Sequence, residues 1–467
     1  MTGSKVIDNM KIPIIPVNQT FVKKGRSASL NYKAICIFAA TGFFLEKDTY
    51  FNDLEALQPA TEYSVEDDFV KSEKTYWKWH YSPRDISFKQ ASEEFAQLFE
   101  KITFENLRNK KIILPLSGGL DSRTQAAALG TSSEVNCYSY KFANSFDETK
   151  YGKEICNVKN FPFHEFEIPK GYLWKVIDKL SLINQCYADF THPRQMAVIN
   201  EIKDLGNIFY LGHWGDVLFD DMGISDNVSP DELIEVLWKK IIKSGGLELA
   251  EALWIHWGLD GNFREYLNER ISRLLSSLEI ENANSRLRAF KSMYWAPRWT
   301  SANLNIFSNN HSIVLPYYDD AMCKFICTIP EKYLAARKIQ IEYIKMKDQR
   351  LAEIPWQSFE PLNLFTYKSF SKKSRLPVRA YKKVKRILKQ KISGEKLTTR
   401  NWEIQFKGES NDLELKKYLF ENDKFSNLVS VKIVKKFYDK FKNENEVKYS
   451  HPVSMLLTMS LFSKNIL

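Results

Sequence analysis

The sequence lacks an apolar run long enough to cross a membrane. Its longest early run, AICIFAATGFFL at residues 34–45, has twelve residues, whereas a membrane-spanning helix needs about 20. The opening residues MTGSKVIDNMKIP also lack the apolar segment of a secretory signal peptide. We therefore expect a soluble, cytoplasmic protein without a membrane partner.

Cysteine is scarce as well. The six cysteines are scattered over 467 residues, which is too sparse for a disulfide scaffold. Cys323 and Cys327 are one helical turn apart, but no further cysteine or histidine stands beside them to complete a zinc site. The sequence also has no internal repeat and no long low-complexity tract. These absences predict reduced, mostly buried thiols in a non-repetitive globular protein.

Neither sign of charge is in strong excess. The 67 Lys and Arg against 57 Asp and Glu leave a net charge of +10, which fits a surface that meets nucleotide, phosphate or RNA without requiring one. Hydrophobic residues make up 44% of the chain, enough for a sizeable core. The length fits two or three domains of about 150 residues each, or one large domain.

Strand and helix patterns alternate through the middle of the chain. Strand-like segments occur in KKIILPLS, VNCYSYKF, FHEFEI and NIFYLGHWGD, and helical patterns separate them. This alternation predicts an α/β fold, a parallel sheet with helices on both faces. Residues 1–88 read as strands and turns, including a strand at AICIFAA, and the patterns after about residue 230 are helical. We expect a small β-rich region at 1–88 and a second domain at 89–467 with a helical C-terminal part.

The segment LPLSGGLDSRT, residues 114–124, joins a strand to a helix through two glycines. A helix N-terminus offers unpaired N–H groups to an anion, the glycines let the backbone approach it, and the flanking serines supply hydroxyl donors. Asp121 would repel a bare phosphate. It therefore predicts a divalent cation such as Mg²⁺ between carboxylate and phosphate. The alternative is an ordinary glycine turn with Asp121 as a helix cap.

This segment has neither the GxxxxGK[ST] spacing of a Walker loop nor the pattern GxGxxG. It resembles the SGGxDS pyrophosphate loop of the ATP pyrophosphatase superfamily, and within it the synthetase domain of the asparagine synthetase family. Later segments resemble further motifs of that family, in the same order along the chain. They are FDETKYGKEICNVKNFPFHEFEI, LGHWGDVLFDDM, VLPYYDDAM and TYKSF.

The resemblance implies an adenine nucleotide α-hydrolase-like fold that uses ATP and Mg²⁺. It implies that Asp121 and Asp216 coordinate the magnesium ion. Lys368 matches a family lysine that stabilises charge on the departing pyrophosphate; the alternative is one more lysine in a basic stretch. The implied ATP-binding residues are Leu116, Ser117, Gly118, Gly119, Ser122, Tyr140, Leu211 and Gly212.

The GHWGDVLFDD segment departs from the family pattern at several positions. His213 stands where the family has an acid and its β-lactam-forming relatives a tyrosine, so it is a candidate catalytic base with an ordinary pKa of about 6.5. Its alternative role is packing beside Trp214. Val217 replaces an acid, which removes an outer metal contact. Asp220 and Asp221 replace two glycines, which changes the turn.

The N-terminal region departs further. A glutaminase of this family uses a cysteine exposed after removal of Met1, but residue 2 is Thr2 and the first cysteine is Cys36. The roughly 90 residues before the synthetase-like domain are also too few for a full glutaminase domain. We expect a remnant of that domain at 1–88. The nitrogen nucleophile is then free ammonia, ammonia from a separate protein, or an amine.

The sequence therefore favours an ATP-dependent amide-forming carbon–nitrogen ligase. Such an enzyme adenylates a small-molecule carboxylate and transfers the acyl group to ammonia or an amine. Aspartate, and with it asparagine biosynthesis, is the family default, but the changes at 213–221 fit a specialised small molecule, a modified sugar or a peptide equally well.

Two alternative functions stay open. The basic run at 368–396, with twelve Lys and Arg against Glu395 alone, suggests an RNA-modifying adenylating enzyme. Its apolar spacing also fits a solvated basic helix face, and nucleic acid is not the partner we expect. Val217 and the short N-terminal region suggest instead a nucleotide-binding scaffold that has lost turnover.

Overall fold

The structure is a computed structural model that describes residues 5–7, 21–23, 29–66, 69–130, 133–145, 147–369 and 397–467. Most of the basic run at 368–396 lies outside the described residues. The strands are β1 (Lys5–Ile7), β2 (Phe21–Lys23), β3 (Leu54–Ala56), β4 (Thr61–Glu66), β5 (Phe69–Thr75), β6 (Lys111–Pro115), β7 (Glu134–Phe142), β8 (Phe163–Ile168), β9 (Ile208–Tyr210) and β10 (Ser312–Val314).

The first seven α-helices lie between residues 32 and 218. They are α1 (Tyr32–Thr41), α2 (Phe88–Leu107), α3 (Leu120–Ala128), α4 (Lys150–Lys159), α5 (Leu173–Asn184), α6 (Ile199–Lys203) and α7 (Gly215–Leu218). The later α-helices are α8 (Pro230–Ile241), α9 (Gly246–His256), α10 (Phe263–Ser276), α11 (Ala283–Phe290), α12 (Ser301–Ser308), α13 (Asp320–Cys327), α14 (Glu331–Leu334), α15 (Lys338–Lys347), α16 (Gln349–Glu353), α17 (Glu403–Phe406), α18 (Glu409–Phe420), α19 (Asp423–Leu428), α20 (Val431–Asn443) and α21 (Glu446–Asn465).

Five parallel strands form the central sheet in the order β10-β9-β6-β7-β8. The first of them in the chain, β6, is central: Leu114 pairs with Cys137 of β7, and Ile113 pairs with Phe209 of β9. Its apolar run is buried on both faces, as expected of a parallel strand covered by helices on both sides. The predicted α/β fold with a parallel sheet is confirmed.

Helices on either side of this sheet bury their apolar faces against it. Helix α2 begins after Ser87, whose Oγ accepts the N–H of Gln90 at 3.1 Å, a typical N-cap. Its buried Phe95 meets the ring of Tyr343 on α15 edge to face, with ring centroids 5.4 Å apart. Aromatic pairs of this kind add to the hydrophobic stabilisation of a core.

The N-terminal region contains the second sheet, in the order β1-β4-β5-β2-β3, together with helix α1. The prediction of a strand at AICIFAA was wrong, because these residues form most of α1. Asn31 caps this helix by accepting the N–H of Ala34 at 3.1 Å, and Gly42 ends it at a φ of +82°. All residues from Ala34 to Thr41 are buried. A helix buried all round has no apolar stripe, so sequence periodicity cannot separate it from a buried strand.

The part after Pro230 is helical, as predicted, with β10 as the single strand among its described residues. It includes a ten-residue π-helix, Lys291–Thr300, with Pro297 inside it. The last helix, α21, is buried from Pro452 to Ser463, and its Phe462 stacks on Tyr50 of the N-terminal region at 3.7 Å between ring centroids. Among the described residues, no helix combines the length and apolar character that crossing a bilayer requires.

The fully buried side chain of Arg123 on α3 ties a later segment to the central sheet. Its guanidinium donates to the carbonyl oxygens of Ile354 at 2.8 Å, Pro355 at 2.9 Å and Leu351 at 3.3 Å. Burial lowers the pKa of Arg123 to about 10, so the group stays charged at neutral pH. These bonds hold the chain that follows α16, and with it Gln357, close to the segment after β6.

Replacing Arg123 with Met should lower the free energy of unfolding by about 2–4 kcal/mol. The substitution leaves three buried carbonyl oxygens without donors, although it also removes a costly buried charge. Urea denaturation followed by circular dichroism measures the loss. Arg350→Met is the matched control, because Arg350 is mostly exposed and pairs with the nearby Asp348. A loss below about 1 kcal/mol for Arg123→Met would contradict the anchoring role.

Candidate functional site

Two turns meet at the carboxyl edge of the central sheet. One follows β6 and leads into α3, and the other follows β9 and leads into α7. Strands β6 and β9 are parallel neighbours. After β6 the chain continues to β7, and after β9 it continues to β10, so the two connections run toward opposite edges of the sheet. In open α/β sheets, such a reversal of strand order creates a crevice in which ligands bind.

Two serines within the turn after β6 stabilise it by accepting backbone hydrogen bonds. The N–H of Ser117 donates to Oγ of Ser122 at 3.2 Å, and the N–H of Gly119 donates to Oγ of Ser117 at 3.3 Å. Gly118 is required for a packing reason, since a Cβ there would lie 2.6 Å from Cβ of Gln357 and 2.8 Å from the ring of Tyr151. The turn is therefore compact, and the first turn of α3 carries Asp121.

A cleft of about 570 Å³ opens over these two turns. This volume is in the range of small-molecule binding sites. Nine residues predicted from the sequence line it: Leu116, Ser117, Gly119, Asp121, Ser122, Tyr140, Leu211, Gly212 and His213. Three others, Gly118, Asp216 and Lys368, are not among its lining residues. The fold thus brings residues from three separate strand ends into one cavity.

Asp121 is held firmly between the two turns. Its Oδ1 accepts hydrogen bonds from the guanidinium of Arg337 and from Nε2 of Gln340, the latter at 3.1 Å. Burial raises the pKa of Asp121, the charge of Arg337 opposes that rise, and the charge of Asp216 adds to it. The two turns approach closely here, because a Cβ on Gly215, the residue before Asp216, would lie 2.1 Å from Oδ1 of Asp121. Binding of a magnesium ion by the two aspartates stays a prediction.

The two aspartates fit a magnesium ion in their donor chemistry. Oδ2 of Asp121 and the exposed carboxylate of Asp216 make no hydrogen bond or ion pair with any described residue. Mg²⁺ is usually bound by one or two carboxylates together with phosphate oxygens. Among the described residues, no group of three or more His, Cys, Asp and Glu side chains could hold a metal ion.

His213 is half-buried in the wall of the cleft, and one of its ring nitrogens is buried without a partner. Its Nδ1 makes no hydrogen bond within the described structure. Burial, followed by the positive charge of Arg194, lowers the pKa of His213 to about 4, against a smaller opposing effect of Asp216. The imidazole is therefore neutral at pH 7, and its Nδ1 is an unsatisfied buried polar atom within the described structure.

Arg194 is a cleft residue that sequence reasoning missed. It begins a short 3₁₀ helix, Arg194–Ala197, and its Nε donates to the hydroxyl of Tyr140. Its guanidinium also lies over the Tyr140 ring, 5.4 Å from the centroid. No carboxylate among the described residues pairs with it. No local motif marks this arginine, because its place beside Tyr140 arises only from the folded chain.

Lys368 lies outside the cleft. It is exposed and lines a separate surface depression together with Tyr333, Lys345 and Tyr367. The catalytic role that the family resemblance implied for Lys368 stays a prediction.

The residues that depart from the family pattern after Gly215 have structural roles. Val217 is buried in the core. Oδ1 of Asp220 accepts the backbone N–H groups of Asp221 and Ala336, each at 2.9 Å. Asp220 thereby links the turn after β9 to the chain that carries Arg337.

No protein-family model and no curated protein matches the chain. Among solved structures, it is similar to the NMN synthetase from Francisella tularensis, with 14% sequence identity, covering 44% of this chain and 92% of that chain. The TM-score is 0.23. A likeness of this size supports no conclusion about function, and the α/β class is established by the order and direction of the strands.

ATP is the ligand that the family resemblance implies, and replacing Gly215 with Ala should weaken its binding at least tenfold. The new Cβ would lie 2.1 Å from Oδ1 of Asp121 and 2.9 Å from Cζ of Tyr317, so the two turns would have to move apart. Isothermal titration calorimetry with ATP and Mg²⁺ measures the change. Gly223→Ala is the control: nothing lies within 4 Å of its Cβ position, and its φ of +75° costs only local strain. Unchanged affinity in Gly215→Ala would contradict the contact.

Proposed function

We propose that this chain is an ATP-dependent amide-forming ligase of the SGGxDS ATP pyrophosphatase superfamily, similar to asparagine synthetase. The observation that carries the proposal is the close approach of the two turns that carry Asp121 and Asp216, which are almost 100 residues apart in the chain: a Cβ on Gly215 would lie 2.1 Å from Oδ1 of Asp121. The nine predicted residues that line this cleft support ATP as its ligand.

The first chemical step is adenylation of a carboxylic acid. A carboxylate oxygen of the substrate forms a bond to the α-phosphorus of ATP, the bond from that phosphorus to the bridging oxygen breaks, and pyrophosphate leaves with the electron pair. Ser117, Ser122 and the N-terminal N–H groups of α3 would bind the phosphates. The fold contributes mainly positioning and charge stabilisation to such a step. A magnesium ion held by Asp121 and Asp216 would supply further positive charge to the phosphates.

Arg194 is well placed to bind an anion in this cleft. Its guanidinium has no carboxylate partner among the described residues, and its nearest polar contact is the hydroxyl of Tyr140. An unpaired guanidinium in a cavity binds phosphate or carboxylate oxygens strongly, often through two parallel hydrogen bonds. We assign it to ATP or to the acid that becomes adenylated.

The second step transfers the acyl group to nitrogen. Ammonia or an amine attacks the acyl carbon, AMP leaves, and the nitrogen gives up a proton, which neutral His213 can accept. A pKa of about 4 makes His213 a weak base when the cleft contains no ligand. Phosphate groups beside Arg194 would offset the charge that depresses this pKa, and so strengthen the base. The nitrogen source is ammonia, a separate ammonia-supplying protein, or an amine on a substrate.

A nucleotide-binding scaffold without turnover is the second candidate. Two observations favour it: Lys368 lies outside the cleft, and Oδ1 of Asp121 is already occupied by Arg337 and Gln340. A scaffold would bind ATP and catalyse no exchange of pyrophosphate with any acid.

ATP–pyrophosphate exchange with a panel of carboxylic acids separates the two candidates. We expect the wild type to catalyse exchange with at least one acid and Asp121→Ala to abolish it, because the first step needs charge balance at the phosphates. Nucleotide binding without exchange across the whole panel would identify the scaffold.

The same assay tests the role of His213. His213→Ala should retain exchange and slow amide formation by 10²–10⁴-fold, the usual contribution of general base catalysis, roughly estimated. Amide formation is followed by release of AMP in the presence of ammonia or an amine. Equal loss of both reactions would remove the proposed base role.

A further inference from the structure

The guanidinium of Arg337 forms an ion pair with Asp121. Arg337 donates from Nη2 to Oδ1 of Asp121 and from Nε to Oε1 of Gln340, the latter at 2.6 Å. A guanidinium has five N–H donors, and these two bonds leave three without an acceptor among the described residues. The side chain of Arg337 keeps 12% of its surface accessible and that of Asp121 24%. Arg337 is not among the residues that line the cleft, but Asp121 is, so Arg337 adjoins the cleft through that contact.

The backbone that presents this arginine is strained. Ala336 and Arg337 are consecutive non-glycine residues in the left-handed region, with φ of +57° and +61°. Each such residue costs about 1–2 kcal/mol, and strain of this kind persists only where the surroundings impose it. Here Oδ1 of Asp220 accepts the N–H of Ala336 at 2.9 Å and holds the turn in place.

The buried ion pair of Arg288 and Glu331 contacts both the turn after β9 and the segment before Arg337. Nη2 of Arg288 donates to the carbonyl oxygen of Asp220 at 2.8 Å and to Oε2 of Glu331 at 2.9 Å. Glu331 begins α14, which leads directly into the strained turn. The turn after β9 and the turn that carries Arg337 are therefore braced by the same guanidinium, and Arg337 is presented to Asp121 by a rigid frame.

We propose that Arg337 is a phosphate-binding residue, whose guanidinium bridges Asp121 and a phosphate oxygen of the nucleotide. The inference rests on the proposed function in one respect, that a triphosphate binds in the cleft. Aspartate beside phosphate requires a cation between them, and Arg337 is a cation already in contact with that aspartate. Lys368 does not reach this position, whereas the frame around Asp220 delivers Arg337 to it.

Binding of inorganic pyrophosphate in EDTA tests this role without catalysis. We expect the wild type to bind pyrophosphate in EDTA by isothermal titration calorimetry, and Arg337→Gln to bind it at least tenfold more weakly. The difference should shrink when Mg²⁺ is present, because the metal then balances Asp121. Arg337→Lys should recover part of the affinity, since it keeps the charge and loses the fork of donors. Wild-type binding only with Mg²⁺, or a change below twofold in Arg337→Gln, would overturn the proposal.

The frame consists of Asp220, Arg288 and Glu331, which hold the turn that carries Arg337. Substitution of Asp220 gives a second test with a matched control. Asp220→Ala removes the acceptor of the Ala336 N–H and leaves Arg337 in the chain, so it should weaken metal-free pyrophosphate binding at least threefold. Asp221→Ala is the control, because the Asp221 carboxylate accepts the N–H of Gly223 within its own loop and should leave binding unchanged. Thermal melts show that each variant is folded. Equal affinities for the two aspartate variants would count against the frame.

A double variant separates direct contact from indirect neutralisation. If Arg337 only balances the charge of Asp121, Asp121→Asn combined with Arg337→Gln should restore metal-free binding to within twofold of the wild type, and the proposal fails. If Arg337 itself donates to phosphate, the double variant stays at least tenfold weaker. Exchange activity of the wild type, measured separately, decides the ligase assignment. The two proposals can therefore fail independently.

Discussion

The contact between Asp121 and the backbone of Gly215 governs the geometry of the site. It sets the separation of the two turns that follow β6 and β9, because no side chain heavier than hydrogen fits between them. Parallel neighbouring strands bring the turns to the same edge of the sheet, and this contact then brings the aspartate of one turn against the helix start of the other. The cleft, its charges and its hydrogen-bonding groups all depend on that approach.

Charged side chains of both signs line the cleft. Arg194 lines it without a carboxylate partner among the described residues, Arg337 contacts Asp121, and the N-terminus of α3 adjoins the same turn. Burial lowers the pKa of His213, and its Nδ1 has no partner among the described residues. Buried polar groups without partners are costly in a folded protein, so this nitrogen is a cost that the rest of the fold has to offset.

The turn after β9 is stabilised by contacts with distant parts of the chain. The carboxylate of Asp220 accepts the N–H of Ala336 in the strained backbone, and Arg288 donates to the carbonyl oxygens of Val217 and Asp220. Val217 packs into the core. These residues support one another, so the turn is a coherent structure.

The sequence by itself determined the α/β class, the glycine turn between β6 and α3 and most of the predicted residues that line the cleft, because alternating strands and helices and a glycine turn are local patterns. It misassigned AICIFAA, since a helix buried on every side shows no periodicity. Only the tertiary structure decided that Arg194 lines the cleft, that Arg337 contacts Asp121 and that Lys368 lies elsewhere. Contacts between residues far apart in the chain depend on how helices pack and turns approach, and no spacing in the sequence records that.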